Sequence, residues 1–336
     1  MRRLALPGFV NAHSHAFQRG MRGRVEGGDF WEWREAMLGV AEGLTADAVR
    51  TEYEAVYAEM RAAGYTAVGE FHYVGFAEAE SAVDAAHAAG IELVVLLAAY
   101  GRGGIDRFRQ ASVSEYLGQV ERLREGGARV GLAPHSVRAC PVDWLREIGA
   151  YADREQLVVH VHADEQPREI EECLAEHGRR PIELLADAGC LGSRTTIVHG
   201  THASDGELDL LAQAGARICV CPTTEANLGD GFLPVKRVLA RRIPLCIGSD
   251  SNARIDPFEE LRELEGIARR QALRRNVIPP DRLLEIGSAG GVAALGLDRW
   301  DDVEVDLDHR SLRGVAEEEA RAALVFGCGA DVIAGV

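Results

Sequence analysis

The chain has 336 residues, of which 47% are hydrophobic and 27% charged; this composition is ordinary for a globular protein, and the length suffices for one barrel of about 250 residues plus a small accessory piece. The formal net charge of −16 argues against a nucleic acid or an anionic membrane surface as a partner, because polyanions would be repelled. A small anionic substrate is not excluded, since a few arginines can reverse the electrostatic field inside a pocket.

The cysteines and the apolar runs bear on the cellular compartment. Seven cysteines occur at no disulfide-like spacing, and no signal peptide is recognisable, which predicts a cytoplasmic protein in a reducing environment. No apolar run reaches the roughly 18 residues that a membrane span needs. Cys219 and Cys221 lie two apart in an apolar run. We interpret them as buried strand residues, with soft metal ligands as the alternative.

Eight short runs rich in Val, Ile and Leu recur along the chain, and each is followed by a polar loop and a helical pattern. They cover residues 6–10, 66–71, 91–97, 129–133, 157–161, 195–198, 216–220 and 243–247. Stretches of helical length rich in Ala, Glu, Arg and Leu lie between them, such as 46–63, 113–124, 143–154 and 257–270. Strands alternating with helices predict parallel βαβ units. Eight such units predict a closed (β/α)8 TIM barrel, whose strands are covered on both sides.

The two ends of the chain differ from this pattern. Residues 303–307 and 323–326 are short strand-like runs after the last long helix, and only about six residues precede the first barrel strand. We therefore expect a barrel over residues 7–297. Residues 1–6 and 298–336 would form a small β appendage.

The polar residues are distributed unevenly over the predicted barrel. In this fold the chemistry lies on loops after the C-terminal ends of the strands. Of the 11 histidines, only His87, His177 and His309 fall clearly away from those ends. The residues that follow or end predicted strands are His13, His15, Glu70, His72, His135, Arg138, His162, Glu165, His199, His202, Glu225, Asn227 and Asp250. This asymmetry predicts a functional site at that end of the barrel.

Two pairs of alternating histidines point to a metal ion. Alternate residues of a strand point to the same side, so His13 and His15 can bind one ion from a strand end. Imidazole suits zinc or iron, and such sites add further nitrogen or oxygen ligands. His160 and His162 also share a face. We assign the outer one, His162, as the third ligand and interpret His160 as a hydrogen-bonded core histidine.

Three more residues have the chemistry of a hydrolytic site. Glu165 lies three residues after His162 in a loop, where a carboxylic acid can shuttle protons between water and substrate. His199 either ligates the metal or hydrogen-bonds the reacting water. Asp250 can ligate the metal and accept a proton from that water. A helix cap is the alternative for Asp250, but the next helical pattern begins only near Pro257.

These motifs together resemble the amidohydrolase superfamily, which implies a TIM barrel of the metal-dependent hydrolase type, with residues 1–6 and 298–336 as a truncated remnant of its β-sandwich domain. Its pattern is an HxH motif after strand one, His-x-x-Glu after strand five, His after strand six and Asp after strand eight. The single His-x-x-Glu resembles the mononuclear deaminase branch. Within it, longer segments resemble the formimidoylglutamate deiminases, and the resemblance runs from about residue 7 to about residue 296. These segments are residues 8–19, 30–34, 70–73, 133–138 and 221–231.

The resemblance implies an activity and a set of site residues. The reaction would be hydrolysis of N-formimidoyl-L-glutamate, a small dicarboxylate of histidine degradation, to N-formyl-L-glutamate and ammonia. One divalent ion is implied, with Zn²⁺ expected and Fe²⁺ as the alternative, and its ligands would be His13, His15, His162 and Asp250. Glu165 would shuttle protons, His199 would orient or polarise the water, and Asp250 would take its proton. Substrate contacts would come from Gln18, Arg34, Tyr73, His135 and Arg138. The family is also compatible with a homodimer.

Two alternatives stay open at this point. One is a deaminase of a cyclic substrate, such as guanine or a related heterocycle, with the same metal site. Such an enzyme would favour aromatic or amide contacts over two arginines. The other is a catalytically silent protein that only binds a metal or ligand. The presence of the complete set argues against it: His13, His15, His162, Glu165, His199 and Asp250.

Overall fold

Eight parallel strands form one sheet in chain order in the computed structural model, which describes residues 2–298 and 300–336. After a first strand outside this sheet, β1 (Arg3–Pro7), they are β2 (Phe9–Ser14), β3 (Tyr65–His72), β4 (Glu92–Ala99), β5 (Val130–Pro134), β6 (Val159–Ala163), β7 (Thr195–His199), β8 (Arg217–Val220) and β9 (Leu245–Ile247). The predicted (β/α)8 barrel is confirmed.

Helices connect the strands and cover the barrel. They are α1 (Phe30–Gly43), α2 (Ala46–Ala62), α3 (Ala79–Ala89), α4 (Val113–Glu125), α5 (Val142–Glu155), α6 (Pro167–His177), α7 (Pro181–Asp187), α8 (Asp205–Ala214), α9 (Pro222–Leu228), α10 (Val235–Ala240), α11 (Pro257–Ala272), α12 (Pro280–Gly287), α13 (Ala289–Leu295) and α14 (Ala320–Gly327). Three of the four helices expected from composition begin after a side chain that accepts backbone N–H bonds, namely Thr45, Ser112 and Asp256. Across the described residues, each helix is too short or too polar to cross a membrane.

The barrel closes where β2 meets the residues after β9. The backbone N–H of Asp250 donates to the carbonyl of His13 at 3.0 Å, and the N–H of His15 donates to the carbonyl of Asp250 at 2.8 Å. Ser14 and Asp250 thereby form a parallel bridge. The strand pairing that closes the barrel therefore brings three candidate ligand positions to one place.

The barrel interior contains the core residues that the sequence suggested. His160 is fully buried, and its Nε2 lies 2.9 Å from the carbonyl oxygen of Ala294. It is therefore the hydrogen-bonded core histidine that we expected. Cys219 and Cys221 are both fully buried as well, the first in β8 and the second directly after it. This placement agrees with their interpretation as buried residues.

Two expectations near the chain ends are wrong. The expected first strand, residues 6–10, is two strands, because the chain passes from β1 to β2 at Gly8. The expected strand at residues 323–326 lies inside α14. A short apolar run does not distinguish a strand from a buried helix segment. Here the buried residues Ala320, Leu324 and Val325 have helical spacing, and they make one face of the helix.

A small antiparallel sheet combines the two ends of the chain. Its order is β1, β10 (Asp302–Asp306) and β11 (Ile333–Gly335). Pairing of β1 with β10 runs from Arg3 opposite Asp306 to Pro7 opposite Asp302. The predicted β appendage from the chain ends is thus confirmed as a separate sheet. The division into a barrel over 7–297 and a remnant formed by 1–6 and 298–336 stays a prediction.

We expect Gly8→Ala to lower the thermal denaturation midpoint, measured by circular dichroism. A β-carbon at Gly8 would lie 2.5 Å from the carbonyl oxygen of Asp301 and 2.3 Å from Cγ2 of Thr66. Crowding of this kind costs about 1–3 kcal/mol. Gly39→Ala is the control, since no described atom lies within 4 Å of the added carbon. An unchanged midpoint in Gly8→Ala would contradict the close approach at this junction.

Candidate active site

Four buried side chains converge at the C-terminal end of the barrel. The Nε2 atom of His162 lies 3.1 Å from that of His13 and 3.4 Å from that of His15. Oδ1 of Asp250 lies 3.4 Å from Nε2 of both His13 and His15. Around a tetrahedral zinc ion with bonds of about 2.0–2.1 Å, neighbouring ligand atoms are about 3.3–3.5 Å apart. The four donors therefore fit a single divalent ion.

The hydrogen bonds made by Nδ1 of His15 and of His162 leave the Nε2 atom of each ring available to bind a metal. Nδ1 of His15 lies 3.0 Å from the carbonyl oxygen of Phe71, and Nδ1 of His162 lies 3.0 Å from that of His135. These carbonyls accept N–H bonds from Nδ1, so the lone pair is at Nε2. Burial lowers the pKa of His13, lowers that of His15 to about 3, and lowers that of His162 well below its usual value. The imidazoles are therefore neutral, as metal binding requires.

His199 lies beside this cluster at the end of β7. Its Nε2 is 3.5 Å from Oε1 of Glu165 and 3.8 Å from Oδ2 of Asp250. Its Nδ1 is 3.3 Å from Oε1 of Glu225, which also accepts the backbone N–H of Cys221. Burial disfavours the charged imidazole, but the surrounding carboxylates outweigh burial and raise the pKa of His199 to about 10. Glu225 thus fixes the ring so that Nε2 faces the cluster.

Glu165 occupies the loop between β6 and α6. Burial raises its pKa to about 7, although His199 and Arg138 act to lower it. The backbone N–H of Glu165 donates to Oε2 of Glu169, a fully buried residue of α6, at 3.1 Å. A carboxyl group with a pKa near neutrality can both accept and release a proton. The local environment of Glu165 therefore suits a proton shuttle.

A pocket with an empty volume of about 490 Å³ opens above the four donors. Its lining contains every residue that the resemblance implied as a substrate contact, together with His15, His162 and Asp250 of the cluster. Those contacts are Gln18, Arg34, Tyr73, His135 and Arg138. The structure thus brings all the expected site residues together at one end of the barrel.

The two arginines of the pocket have different surroundings. Nη2 of Arg138 is 3.4 Å from Oε2 of Glu165, and its Nε is 3.5 Å from Oε1 of Glu169. Its guanidinium also lies over the ring of Trp31 at 5.6 Å. Nη1 of Arg34, on α1, is 3.1 Å from Oε1 of the exposed Glu35. Arg138 is therefore held from several sides, and Arg34 has one exposed partner.

Sequence reasoning gave no role to several residues of the site. Apolar and aromatic side chains form part of the pocket wall, namely Phe30, Trp33, Met37, Leu38, Tyr100 and Leu228. Four of them lie on one face of α1, and their helical spacing was the available signal. Glu225 followed a predicted strand, and both Glu225 and Asp230 lie in the segment 221–231, but the sequence did not predict the contact of Glu225 with His199 or the approach of Asp230 after α9. They depend on how the loops fold.

Both the sequence and the fold are similar to those of known proteins. The chain matches the profile of the Amidohydrolase family over residues 4–305. It belongs to this family. A formimidoylglutamate deiminase of Pseudomonas aeruginosa is 38% identical over 327 residues, covering 87% of this chain and 72% of the relative. A 5-methylthioadenosine/S-adenosylhomocysteine deaminase of Haloarcula marismortui is 32% identical over 302 residues, covering 88% of this chain and 69% of that relative.

Solved structures of the family have the same architecture. An amidohydrolase from Brucella melitensis superimposes with a TM-score of 0.88 at 32% identity, over 98% of this chain and 84% of that one. A zinc-bound adenosine deaminase from Xanthomonas campestris gives a TM-score of 0.90 at 23% identity, over 98% of this chain and 78% of that one. At this identity the similarity shows the fold alone. With the four-donor cluster, these relationships make the chain a metal-dependent hydrolytic deaminase of the amidohydrolase family.

We expect His162→Gln to lose bound metal and His160→Gln to keep it. Both variants remove a buried imidazole from β6, but only His162 points into the four-donor cluster. Loss of a ligand should weaken metal affinity by about 100-fold or more. Metal content after dialysis against a chelator, measured by plasma mass spectrometry, reports the difference. Equal metal content in the two variants would remove His162 from the ligand set.

Proposed function

We propose that this protein hydrolyses N-formimidoyl-L-glutamate to N-formyl-L-glutamate and ammonia. The observation that carries the proposal is the pair of guanidinium groups, on Arg34 and Arg138, that line the pocket above the four donors. Guanidinium matches a carboxylate with paired hydrogen bonds. In a chain of net charge −16, these two groups are the counter-charges that a dicarboxylate needs. The 38% identical formimidoylglutamate deiminase supports the same substrate.

The cluster His13, His15, His162 and Asp250 would hold the metal ion. Zn²⁺ is the expected ion, because three neutral imidazoles and one carboxylate are ligands that zinc takes in hydrolytic enzymes. When bound, such an ion supplies Lewis acidity that lowers the pKa of a water molecule toward about 7.

The side chains around the cluster divide the proton transfers between them. Asp250 accepts a proton from the attacking water through Oδ2, while the water oxygen forms its bond to the formimidoyl carbon. His199, held at Nδ1 by Glu225, donates a hydrogen bond from Nε2 and keeps the attacking oxygen in line. Glu165 takes the second proton of that water and delivers it to the nitrogen, and the proton held by Asp250 reaches the same nitrogen as its bond to carbon breaks. Both water protons end on that nitrogen, so ammonia leaves instead of an unstable amide anion.

A deaminase of a cyclic substrate is the second candidate. The aromatic wall formed by Phe30, Trp33 and Tyr100 favours it, because flat rings stack on aromatic side chains. The relative from Haloarcula marismortui is named for nucleoside-type substrates. A neutral heterocycle, however, would offer no negative charge to Arg34 and Arg138, the two arginines that line the pocket. This mismatch ranks the candidate below the dicarboxylate.

The test uses the zinc-loaded protein and Arg138→Met, with ammonia release from N-formimidoyl-L-glutamate as the measurement. We expect the wild type to turn the compound over. In Arg138→Met, kcat/KM should fall by about 100-fold or more, because a desolvated carboxylate loses its charged partner. Most of the change should appear in KM, since the carboxylate is bound equally in the ground and transition states.

Arg168→Met is the matched control for this experiment. The Arg168 guanidinium lies over the same Trp31 ring, at 4.4 Å, but it does not line the pocket above the four donors. Its replacement should change kcat/KM by less than about threefold, as for other exposed side chains. Near-normal kinetics in Arg138→Met would contradict the proposed contact. Faster turnover of 5′-methylthioadenosine than of N-formimidoyl-L-glutamate by the wild type would favour the second candidate.

A further inference from the structure

Asp230, which follows α9, carries a buried carboxyl group that has no part in the proposed proton transfers. The residue is 2% exposed. Its Oδ1 accepts a hydrogen bond from Nε2 of Gln166, the residue directly after Glu165 in the chain. A carboxyl oxygen of Asp230 also lies within 4.8 Å of a carboxyl oxygen of Glu165 and of a ring nitrogen of His199. Asp230 therefore links the segment after α9 to the loop that carries Glu165.

The backbone of Asp230 is held from two sides. Its N–H donates to the carbonyl oxygen of Glu225 at 2.9 Å, and its own carbonyl oxygen accepts from Nε2 of His202 at 2.7 Å. His202 lies in the loop after β7, three residues after His199. Glu225 also contacts Nδ1 of His199 at 3.3 Å. One glutamate thus fixes both the backbone of Asp230 and the ring of His199.

The loop between β6 and α6 needs such contacts, because its first residue is strained. Asp164 has a φ of +55°, in the left-handed region, and its Oδ1 accepts from Nη2 of Arg180 at 3.2 Å. A residue with a side chain keeps such a conformation only where its surroundings enforce it. Gln166, the last residue before α6, is held by Asp230. Glu165 lies between these two anchored residues, so the direction of its side chain depends on both.

The chemical state of the Asp230 carboxyl group suits this role. Burial, followed by the charge of Glu165, raises the pKa of Asp230 to about 9, although His199 acts to lower it. At neutral pH the group is therefore an uncharged acid. Its Oδ1 accepts from Gln166, and its proton is on Oδ2, which has no hydrogen-bond partner among the residues that the structure describes. Asparagine has the same combination of one acceptor and one donor group.

We propose that Asp230 is a positioning residue, which fixes Gln166 and thereby holds the Glu165 carboxyl group beside His199. The proposal rests on the proposed function only in taking Glu165 as the group that moves protons. Loss of the contact would let Glu165 turn away and slow proton transfer. Substrate binding would be unaffected, because the residues that line the pocket do not include Asp230. We therefore expect a loss in kcat without a change in KM.

Steady-state kinetics of the zinc-loaded full chain test the proposal, with Asp230→Ala and Asp230→Asn as the variants. In Asp230→Ala, kcat should fall about 10–100-fold, because a small misplacement of a reacting group slows a reaction strongly. In Asp230→Asn, kcat should stay within about threefold of the wild type, since the amide oxygen still accepts from Gln166. Wild-type kcat in Asp230→Ala, equal losses in the two variants, or a loss that appears in KM would overturn the proposal.

Gln166→Ala removes the same hydrogen bond from its other side, so it replaces Asp230→Ala as the test variant if that protein does not fold. Its kcat should also fall, and the double variant should lose no further activity, because the two residues act through one bond. Additive losses would contradict the proposal. Asp209→Ala is the control: this exposed aspartate pairs with Nε of Arg241 at 2.6 Å, and its replacement should change kcat by less than about threefold.

Hydrogen exchange separates this proposal from the proposed function, because it needs no substrate. The backbone N–H of Glu165 donates to Oε2 of Glu169, and a loosened loop would expose it to solvent. Peptides covering residues 164–169 should exchange at least about tenfold faster in Asp230→Ala than in the wild type or in Asp230→Asn. Unchanged exchange in Asp230→Ala would overturn the proposal. If the wild type releases no ammonia from N-formimidoyl-L-glutamate, the proposed function fails, while the exchange result still decides the role of Asp230.

Discussion

The backbone pairing between β2 and the residues after β9 is the constraint on which the site depends. Asp250 exchanges backbone hydrogen bonds with His13 and His15, so the contact that closes the barrel also sets the spacing of three metal-binding positions. Asp250 has a φ of +45°, in the left-handed region. The Asn252 amide stabilises this turn by donating to the Asp250 carbonyl at 3.0 Å and to the Ser14 hydroxyl at 3.1 Å. A change in the backbone contact that closes the barrel would therefore also change the geometry of the metal ligands.

The distribution of charge explains how an acidic chain can present a pocket for an anion. The chain has 53 acidic and 37 basic residues, but the pocket lining has two guanidinium groups next to the four donors. Arg138 is held by Glu165, by the buried Glu169 and by the Trp31 ring. Its position is therefore set before any substrate arrives, and preorganisation of this kind reduces the cost of binding. The same contacts place the guanidinium proposed to bind the substrate beside the carboxyl group proposed to move protons.

Much of this arrangement could be predicted from the sequence, because it depends on local periodicity. Alternation along a strand put His160 and His162 on one face, the outer position of His162 distinguished it from the core residue His160, and the strand ends located His199 and Asp250. Contacts made by loop folding could not be predicted, as Asp230 illustrates: it reaches the site from beyond α9. The prediction of a strand at residues 323–326 was wrong for another reason, because four apolar residues fit either a strand or one face of a helix. In the structure they lie in α14, which packs through its buried face.

The central claim is that one divalent ion is bound by three histidines and one aspartate at the point of barrel closure. X-ray absorption at the zinc edge, on protein loaded with one equivalent of Zn²⁺, tests it most directly. We expect a shell of nitrogen and oxygen atoms at about 2.0–2.2 Å with the multiple-scattering signature of imidazole. A sulfur at about 2.3 Å, which Cys221 beside His199 and Asp250 could supply, would contradict the ligand set.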